Sequence, residues 1–317
     1  MPVTYDTMGR VAILTLNRPE ARNAINQEMA DAIEAAIDRF EEDDDAWIAV
    51  LAGNGLAFCA GADLKAVASG AAGLSTERGG FAGIVRRERA KPLIAAVEGP
   101  ALAGGTEIVL SCDLVVAGAE ARFGLPEVRS SLVANAGGLF RLPRAIPRNI
   151  AMELILTGGA LPADRAYQLG LVNRLVDAGS ALDAACALAE EVNANAPIAV
   201  RASRRIFLAT QFLTDDEGFE VSARESRVVF RSEDFQEGPR AFIEKRPPRW
   251  AGRCPPTPVG KGQPSSGRRY SGTRSCSVRK APRPSASCRA PTFARGNHTA
   301  SSASEPGTGG PSSKTVT

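Results

Sequence analysis

One acidic residue stands out in an otherwise uncharged stretch of the sequence. Residues 99–112, GPALAGGTEIVLSC, form a glycine-rich turn leading into an apolar, helix-like segment whose single charge is Glu107. A lone carboxylate there is costly unless it is paired, hydrogen-bonded or used in chemistry. Gly104 lies three residues earlier, where free backbone N–H groups at a helix start can hold a developing anion. This combination suits enolate chemistry beside a carbonyl, although the glycines could also serve only helix–strand packing.

Two further stretches supply groups that such chemistry needs. Residues 57–64, AFCAGADL, form a small-residue loop entering a helix and are a second candidate for backbone N–H donation. Residues 123–128, FGLPEV, place another acid, Glu127, in an apolar stretch after a predicted strand. Two carboxylates from separate turns can share a water molecule and divide the base and acid roles.

The histidine and cysteine content excludes several other mechanisms. The only histidine is His298, close to the C-terminus, so the first 250 residues must work without imidazole. Ser-His-Asp and Cys-His catalysis are therefore excluded. Cys59, Cys112 and Cys186 form no CxxC pair, so we expect buried small apolar residues rather than a zinc site.

Charge and composition divide the chain near residue 250. The whole chain has 317 residues and a net charge of +3, but residues 251–317 hold eleven Lys or Arg and one acid, which leaves −7 for residues 1–250. The end of the chain is rich in Ser, Pro, Gly, Arg and Thr, so it cannot form a core. We expect a disordered tail or non-native coding sequence from a shifted reading frame, and favour both over a nucleic-acid-binding arm.

The elements that must position these residues follow from the apolar pattern. Asn26 is a predicted N-cap, and apolar residues then recur at helical spacing through Phe40. Strand, loop and helix alternate up to Phe123, which predicts stacked βαβ units with parallel strands. Helices with apolar stripes follow, of a kind that commonly docks on a neighbouring subunit. The predicted strands are VAILTL (11–16), WIAVLAG (47–53), PLIAAVEG (92–99) and DLVVAG (113–118).

Export and membrane signals are not found in the sequence. No run of about eighteen apolar residues is present. The N-terminus lacks a basic region that leads into an apolar region with a cleavage site. We therefore expect a cytoplasmic protein without a membrane association.

Five motifs follow one another in a recognisable order: AFCAGADLK, KPLIAAVEGPALAGGTEIVLSCDLVVAG, ARFGLPEV, AGGLFRLPR and EGPRAFIEKRPPRW. Together they resemble the crotonase superfamily of enoyl-CoA hydratases and isomerases, and the resemblance covers about residues 3–253. It implies an α/β spiral of ββα units with a helical C-terminal part, usually assembled as a trimer or a dimer of trimers. We accordingly predict a core at residues 1–195, a trimerisation region at 196–253 and a basic tail at 254–317.

The resemblance also implies catalytic roles. The backbone N–H groups of Ala62 and Gly104 would form an oxyanion hole. Glu107 and Glu127, twenty residues apart, match the two glutamates with which hydratases orient one water molecule for addition to an enoyl thioester. The implied enzyme is an enoyl-CoA hydratase or dehydratase of lipid metabolism; a Δ3,Δ2-enoyl-CoA isomerase is the alternative.

Coenzyme A enters only as part of the substrate, and neither a separate cofactor nor a metal is expected. For each basic residue the alternative is a solvated surface charge. The residues that resemble the family's CoA contacts are Arg22, Ala60, Asp63, Leu64, Lys65, Phe242 and Lys245.

One stretch departs from simple hydratases. The sequence ANAGGLFRLPR (134–144) places Asn135 where hydratases often have glycine. The stretches that look nearer to the carnitinyl-CoA dehydratase branch are RLPRAIP (141–147), GLVNRLV (170–176) and EGPRAFIEKRPPRWAGR (237–253). Asn135 is either a substrate-facing hydrogen-bonding residue or a loop residue in a left-handed turn. Two non-enzymatic alternatives are a nucleic-acid-binding homologue that uses its tail and a CoA-binding scaffold. The two intact acids argue against the scaffold.

Overall fold

The chain alternates short strands and helices up to residue 176 and is helical from there on, in a computed structural model that describes residues 1–68 and 73–253. The strands are β1 (Val3–Met8), β2 (Val11–Leu16), β3 (Ile48–Gly53), β4 (Ser75–Thr76), β5 (Gly80–Phe81), β6 (Leu93–Val97), β7 (Pro100–Leu102), β8 (Leu114–Gly118), β9 (Arg122–Gly124), β10 (Ala160–Pro162) and β11 (Arg174–Val176). The helices are α1 (Gln27–Glu42), α2 (Leu64–Ala68), α3 (Gly104–Val109), α4 (Gly138–Ala145), α5 (Arg148–Thr157), α6 (Ala163–Gln168), α7 (Ala181–Asn193), α8 (Pro197–Thr210), α9 (Asp215–Phe230) and α10 (Asp234–Ile243).

Six strands form the main sheet, in the order β1-β2-β3-β6-β8-β11. Only the β1–β2 pair is antiparallel, and every other neighbouring pair is parallel. All four strands predicted from the apolar pattern are present as β2, β3, β6 and β8. Strand β1 was not predicted, because its residues VTYDTM are mostly polar and become more exposed along the strand.

Both faces of the main sheet are buried, as the non-alternating strand sequences predicted. On one face, Leu51 and Ala95 belong to the same apolar cluster as Phe40 of α1. On the opposite face, Val50 and Ile94 cluster with residues of α7. Helix α1 begins where it was predicted, because the side chain of Asn26 accepts a hydrogen bond of 2.9 Å from the Met29 backbone N–H.

A second, smaller sheet accompanies the main sheet. The repeating unit is therefore ββα, which forms a spiral, and not the simple βαβ unit predicted from the apolar pattern. Strand β6 belongs to the main sheet, β7 belongs to a three-stranded sheet, and α3 follows. Strands β8 and β9 repeat this arrangement and lead into a 3-10 helix at Pro126–Ser130. After β3, a bridge from Cys59 to Ala101 continues the pattern before α2. The α/β spiral that the resemblance implied is therefore present.

Helices α8 to α10 complete the described chain. Thr214 and Glu217 form a reciprocal capping box at the start of α9. The described residues belong to one compact unit, so the predicted boundary at residue 195 and the trimerisation role of 196–253 stay predictions. None of the helices in the described part of the chain is long and apolar enough to cross a membrane. The predicted disordered tail at 254–317 lies outside the described residues.

Candidate active site

The loop containing Ala62 and the start of α3 meet backbone to backbone. The Leu102 N–H donates to the Cys59 carbonyl oxygen over 3.0 Å, which joins the two segments. Gly61 lies so close to α3 that a Cβ atom at this position would be 3.0 Å from the Gly104 nitrogen and 2.7 Å from the Ala103 Cβ. Gly61 also has a φ of +91°, a conformation that glycine adopts without strain. Both the close approach and the backbone conformation therefore require glycine.

The turn into α3 carries backbone strain at a residue other than glycine. Ala103 has a φ of +52°, in the left-handed region that favours glycine. Its N–H is fixed by the Gly124 carbonyl oxygen at 2.9 Å, so the next N–H, that of Gly104, begins the helix. Helix α3 starts at Gly104, within the predicted glycine-rich turn. The Thr106 hydroxyl bonds to the Ala101 and Gly124 carbonyl groups instead of capping the helix.

The two predicted oxyanion-hole donors are not used by the fold. Neither the Ala62 N–H nor the Gly104 N–H makes a hydrogen bond to a described residue. The structure thus brings Gly61, the residue before Ala62, next to Gly104, and within the part of the chain that it describes both N–H donors are unpaired. Paired backbone donors of this kind are what a developing oxyanion requires.

Glu107 is held as a hydrogen-bond acceptor deep in the protein. Its residue surface is 3% exposed, and Oε1 accepts a hydrogen bond of 2.9 Å from the Gly138 N–H at the start of α4. Burial raises the pKa of Glu107, while the N–H groups of Gly138 and Ala136 and the charge of Arg141 oppose that rise. The carboxylate form therefore has specific support at this position.

Glu127 has a different set of neighbours. It lies in the 3-10 helix after β9, and its Oε2 is buried without a hydrogen-bond partner among the described residues. Burial raises the pKa of Glu127, its own backbone N–H opposes that rise, and the nearby charge of Glu107 adds to it. The two predicted acids are thus close enough to interact, and burial raises the pKa of both.

Sequence reasoning missed two contributors to this site. Gly138 supplies the N–H to Glu107, and a Cβ there would lie 2.8 Å from Leu125 Cδ1 and 3.1 Å from Glu107 Oε1. Arg141 acts on Glu107 by its charge. The arginine itself was the available signal, since it interrupts the apolar sequence GGLFRLP as Glu107 interrupts its own stretch.

Five predicted CoA contacts lie in one region beside the site. The Ala60 N–H donates to the Arg22 carbonyl oxygen over 3.0 Å, which joins the two loops. Asp63 accepts a hydrogen bond of 3.1 Å from the Lys65 N–H and forms a 3.2 Å ion pair with Arg18. Leu64 is 59% exposed, and the side chains of Arg22 and Lys65 are also open to solvent.

Asn135 and the C-terminal pair have different outcomes. Asn135 lies exposed in the turn before α4 and does not have a positive φ, so the left-handed alternative is wrong. The turn instead uses Gly137, whose φ is +116°. Phe242 is exposed near the end of α10, a helix that packs against α9, and Lys245 is exposed just after that helix.

The comparisons with known proteins agree on one family. Residues 6–253 match the family described as Enoyl-CoA hydratase/isomerase. Enoyl-CoA hydratase EchA19 of Mycobacterium tuberculosis is 43% identical over 251 residues, which cover 77% of this chain and 94% of that protein. Carnitinyl-CoA dehydratase of Proteus mirabilis is 39% identical over 254 residues, with 78% and 97% coverage.

Solved structures give the same result. An enoyl-CoA hydratase from Mycobacterium tuberculosis H37Rv superposes with a TM-score of 0.77 at 48% identity, covering 80% of this chain and 99% of that one. A carnitinyl-CoA hydratase from Mycobacterium avium has a TM-score of 0.64 at 42% identity, with the same coverage. The chain belongs to the enoyl-CoA hydratase/isomerase family and has the crotonase fold.

Proposed function

We propose that this protein adds water reversibly across the α,β double bond of an enoyl-CoA thioester. The observation that carries the proposal is the contrast between the two neighbouring acids. Glu107 accepts hydrogen bonds from two other residues and lies near a positive charge, whereas Glu127 has one buried oxygen without a hydrogen-bond partner among the described residues and a like charge nearby. One carboxylate and one carboxylic acid at the same site are the groups that a hydration requires.

The proposed steps assign one role to each group. Glu107 takes a proton from water while the water oxygen bonds to the β-carbon of the enoyl group. The electron pair of the double bond moves toward the thioester oxygen, and the enolate is held by the Ala62 and Gly104 N–H groups. Glu127 donates its proton to the α-carbon. Dehydration follows the same steps in reverse.

The CoA part is proposed to lie along the surface formed by Arg22 and residues 60–65. Exposed basic side chains at Arg22 and Lys65 suit its phosphates, and the apolar Leu64 suits its adenine ring. Asn135 is exposed before α4 and is proposed to face the acyl group. Phe242 and Lys245 are proposed to reach the nucleotide of a neighbouring subunit.

Self-association is part of the same proposal. Phe207, Phe212 and Phe219, on or between α8 and α9, are 67%, 74% and 73% exposed. Apolar rings of this size on one region of a single chain suit an interface with further copies. Light scattering on the eluted protein should give a trimer or hexamer mass; a monomer would contradict this part.

The test is a water-addition assay on the purified full chain with crotonyl-CoA and with longer and branched 2-enoyl-CoA esters. Glu107→Gln and Glu127→Gln should each lower kcat by about 10²- to 10⁴-fold. Glu120→Gln is the matched control, because Glu120 is an exposed glutamate in the turn after β8. No hydration of any ester, or full activity of Glu127→Gln, would contradict the proposal.

Two related substrates separate the alternatives within the family. The named relatives include carnitinyl-CoA dehydratases, so carnitinyl-CoA is assayed for loss of water. A 3-enoyl-CoA is assayed for a shift of its double bond. An isomerised product without any hydrated product would favour the isomerase instead.

A further inference from the structure

Arg141 folds back over the start of the helix that binds Glu107. It lies on α4, three residues after Gly138, and its Nη2 donates to the Val85 carbonyl oxygen over 2.6 Å. Its Nη1 is buried without a hydrogen-bond partner among the described residues, and lies 2.9 Å from where a Cβ on Gly137 would be. The guanidinium is therefore fixed beside the backbone whose N–H holds the Glu107 carboxylate.

The charged and titratable groups around the pair come from several elements. The charge of Arg141 acts on Glu107, and the charge of Glu107 acts on Glu127. Arg141 itself interacts with Arg89 before β6, with Cys112 after α3, with Arg144 on its own helix and with Glu107. Of these, only Glu107 brings a carboxylate, and none of the ion pairs in the described structure includes Arg141.

Arg89 has its own counter-charge in Asp113, so Glu107 is the carboxylate that interacts with the charge of Arg141. The Arg89 guanidinium donates to the Ser111 carbonyl oxygen over 2.9 Å and lies 3.6 Å from Asp113. Arg204 contacts the same Asp113 at 2.8 Å. Arginine stays protonated at all ordinary pH values, so Arg141 is a permanent positive charge in a partly buried place.

A buried guanidinium with an unused N–H group is a poor way to stabilise a fold. Its position is understandable if its charge acts on the site. Resting on the proposed function, we propose that Arg141 is a positioning residue for the hydration: its fixed charge opposes the effect of burial on Glu107 and so favours the carboxylate that takes a proton from water.

The test is the pH dependence of kcat/KM in Arg141→Gln. Removing the charge should raise the pH below which Glu107 is protonated, so the acid limb should move to higher pH. The position of the limb does not depend on enzyme yield as long as the folded fraction is the same across the profile. Circular dichroism at every pH of the profile separates a shifted limb from acid unfolding.

Two matched variants distinguish charge from structure. Arg141→Lys keeps the charge and should keep the acid limb, with a lower kcat because an ammonium lacks the planar fork. Arg144→Gln removes a positive charge from the same helix at an exposed position and should leave the limb unchanged.

The outcomes separate this inference from the proposed function. An unmoved limb in Arg141→Gln, or an equal shift in Arg141→Lys or Arg144→Gln, would overturn the role of Arg141 while hydration itself remains. Arg141→Gln could also fail to yield folded protein while Arg141→Lys keeps the wild-type kcat and acid limb. That result would count against the positioning role, since an arginine needed only for the fold explains it. A wild-type enzyme without hydration would instead refute the proposed function.

Discussion

The two acids of the site lie in regions of different construction. Glu107 is inside helix α3, almost fully buried, and accepts a hydrogen bond from the start of another helix. Glu127 is in one turn of 3-10 helix at the edge of the core, with a buried oxygen that accepts no hydrogen bond from a described residue. Burial raises the pKa of both carboxyl groups, but the groups that oppose the rise differ. Glu107 has the N–H groups of Ala136 and Gly138 and the charge of Arg141, whereas Glu127 has its own backbone N–H.

The largest expected effect tests whether the two acids act as one unit. In Glu107→Gln/Glu127→Gln, kcat should fall about as far as in the more damaged single variant, because residues that share one step are not additive. The measurement is single-turnover hydration under matched conditions. Losses that multiply would show that the two glutamates act on separate steps.

A smaller effect is expected from the contact that distinguishes Glu107. Gly138→Ala places a methyl group against Leu125 and the Glu107 oxygen, so the start of α4 must shift. We expect a loss of about 10²-fold in kcat, typical of a small misplacement at a site, and a stability loss of about 1–3 kcal/mol.

Gly218→Ala is the control for that substitution. Gly218 lies within α9, and an added Cβ would meet only Thr210 Cγ2 at 3.8 Å. Activity should be unchanged, and the free energy of unfolding should rise by about 0.5–1 kcal/mol. A Gly138→Ala enzyme with full activity would mean that the Gly138 N–H does not position Glu107.

The smallest effect concerns stability and the raised pKa of Glu127. An acid whose pKa is higher in the folded state stabilises the fold fully only below its unfolded value, and loses that contribution as the pH rises through the folded value. Glu127→Gln should therefore raise the free energy of unfolding at pH 7 to 8 by about 1 kcal/mol and raise the melting temperature with it. The gain should disappear near pH 4, where both states of the wild type are protonated.

Thermal melts from pH 4 to pH 8 measure this difference. If the gain in stability is equal at all pH values, it arises from packing and not from the loss of the charge. A variant that is less stable at pH 8 would show that the Glu127 carboxylate has a partner in the folded protein.

Patterns of apolar residues predicted the buried parts of the fold well and the exposed parts poorly. The strands β3 and β6 are apolar throughout and were placed correctly, since a strand covered on both faces has no polar positions. Strand β1 and the short strands β7 and β9 were not predicted as strands. Their pairing depends on neighbours that lie far away in the sequence, such as β9 for β7.

The site shows the same division. Glu107 was identified because one charge in an apolar stretch is unusual, and Glu127 because an acid follows a predicted strand. Gly138 and Arg141 could not be assigned to Glu107 from the sequence, because they lie about thirty residues away and reach it only through the packing of α3 against α4. The left-handed alternative for Asn135 failed because the neighbouring Gly137 takes that conformation.

The sequence by itself determined the residue types of the site, the order of the core elements and, through its motifs, the family. Local patterns suffice for these, since apolar spacing and short motifs are properties of neighbouring residues. How the two acids differ depends on the folded chain. It places the Gly138 N–H and the Arg141 charge beside Glu107, and among the described residues it gives Glu127 Oε2 no hydrogen-bond partner. A protonation state depends on burial and on nearby charges in space, and only the folded chain brings those together.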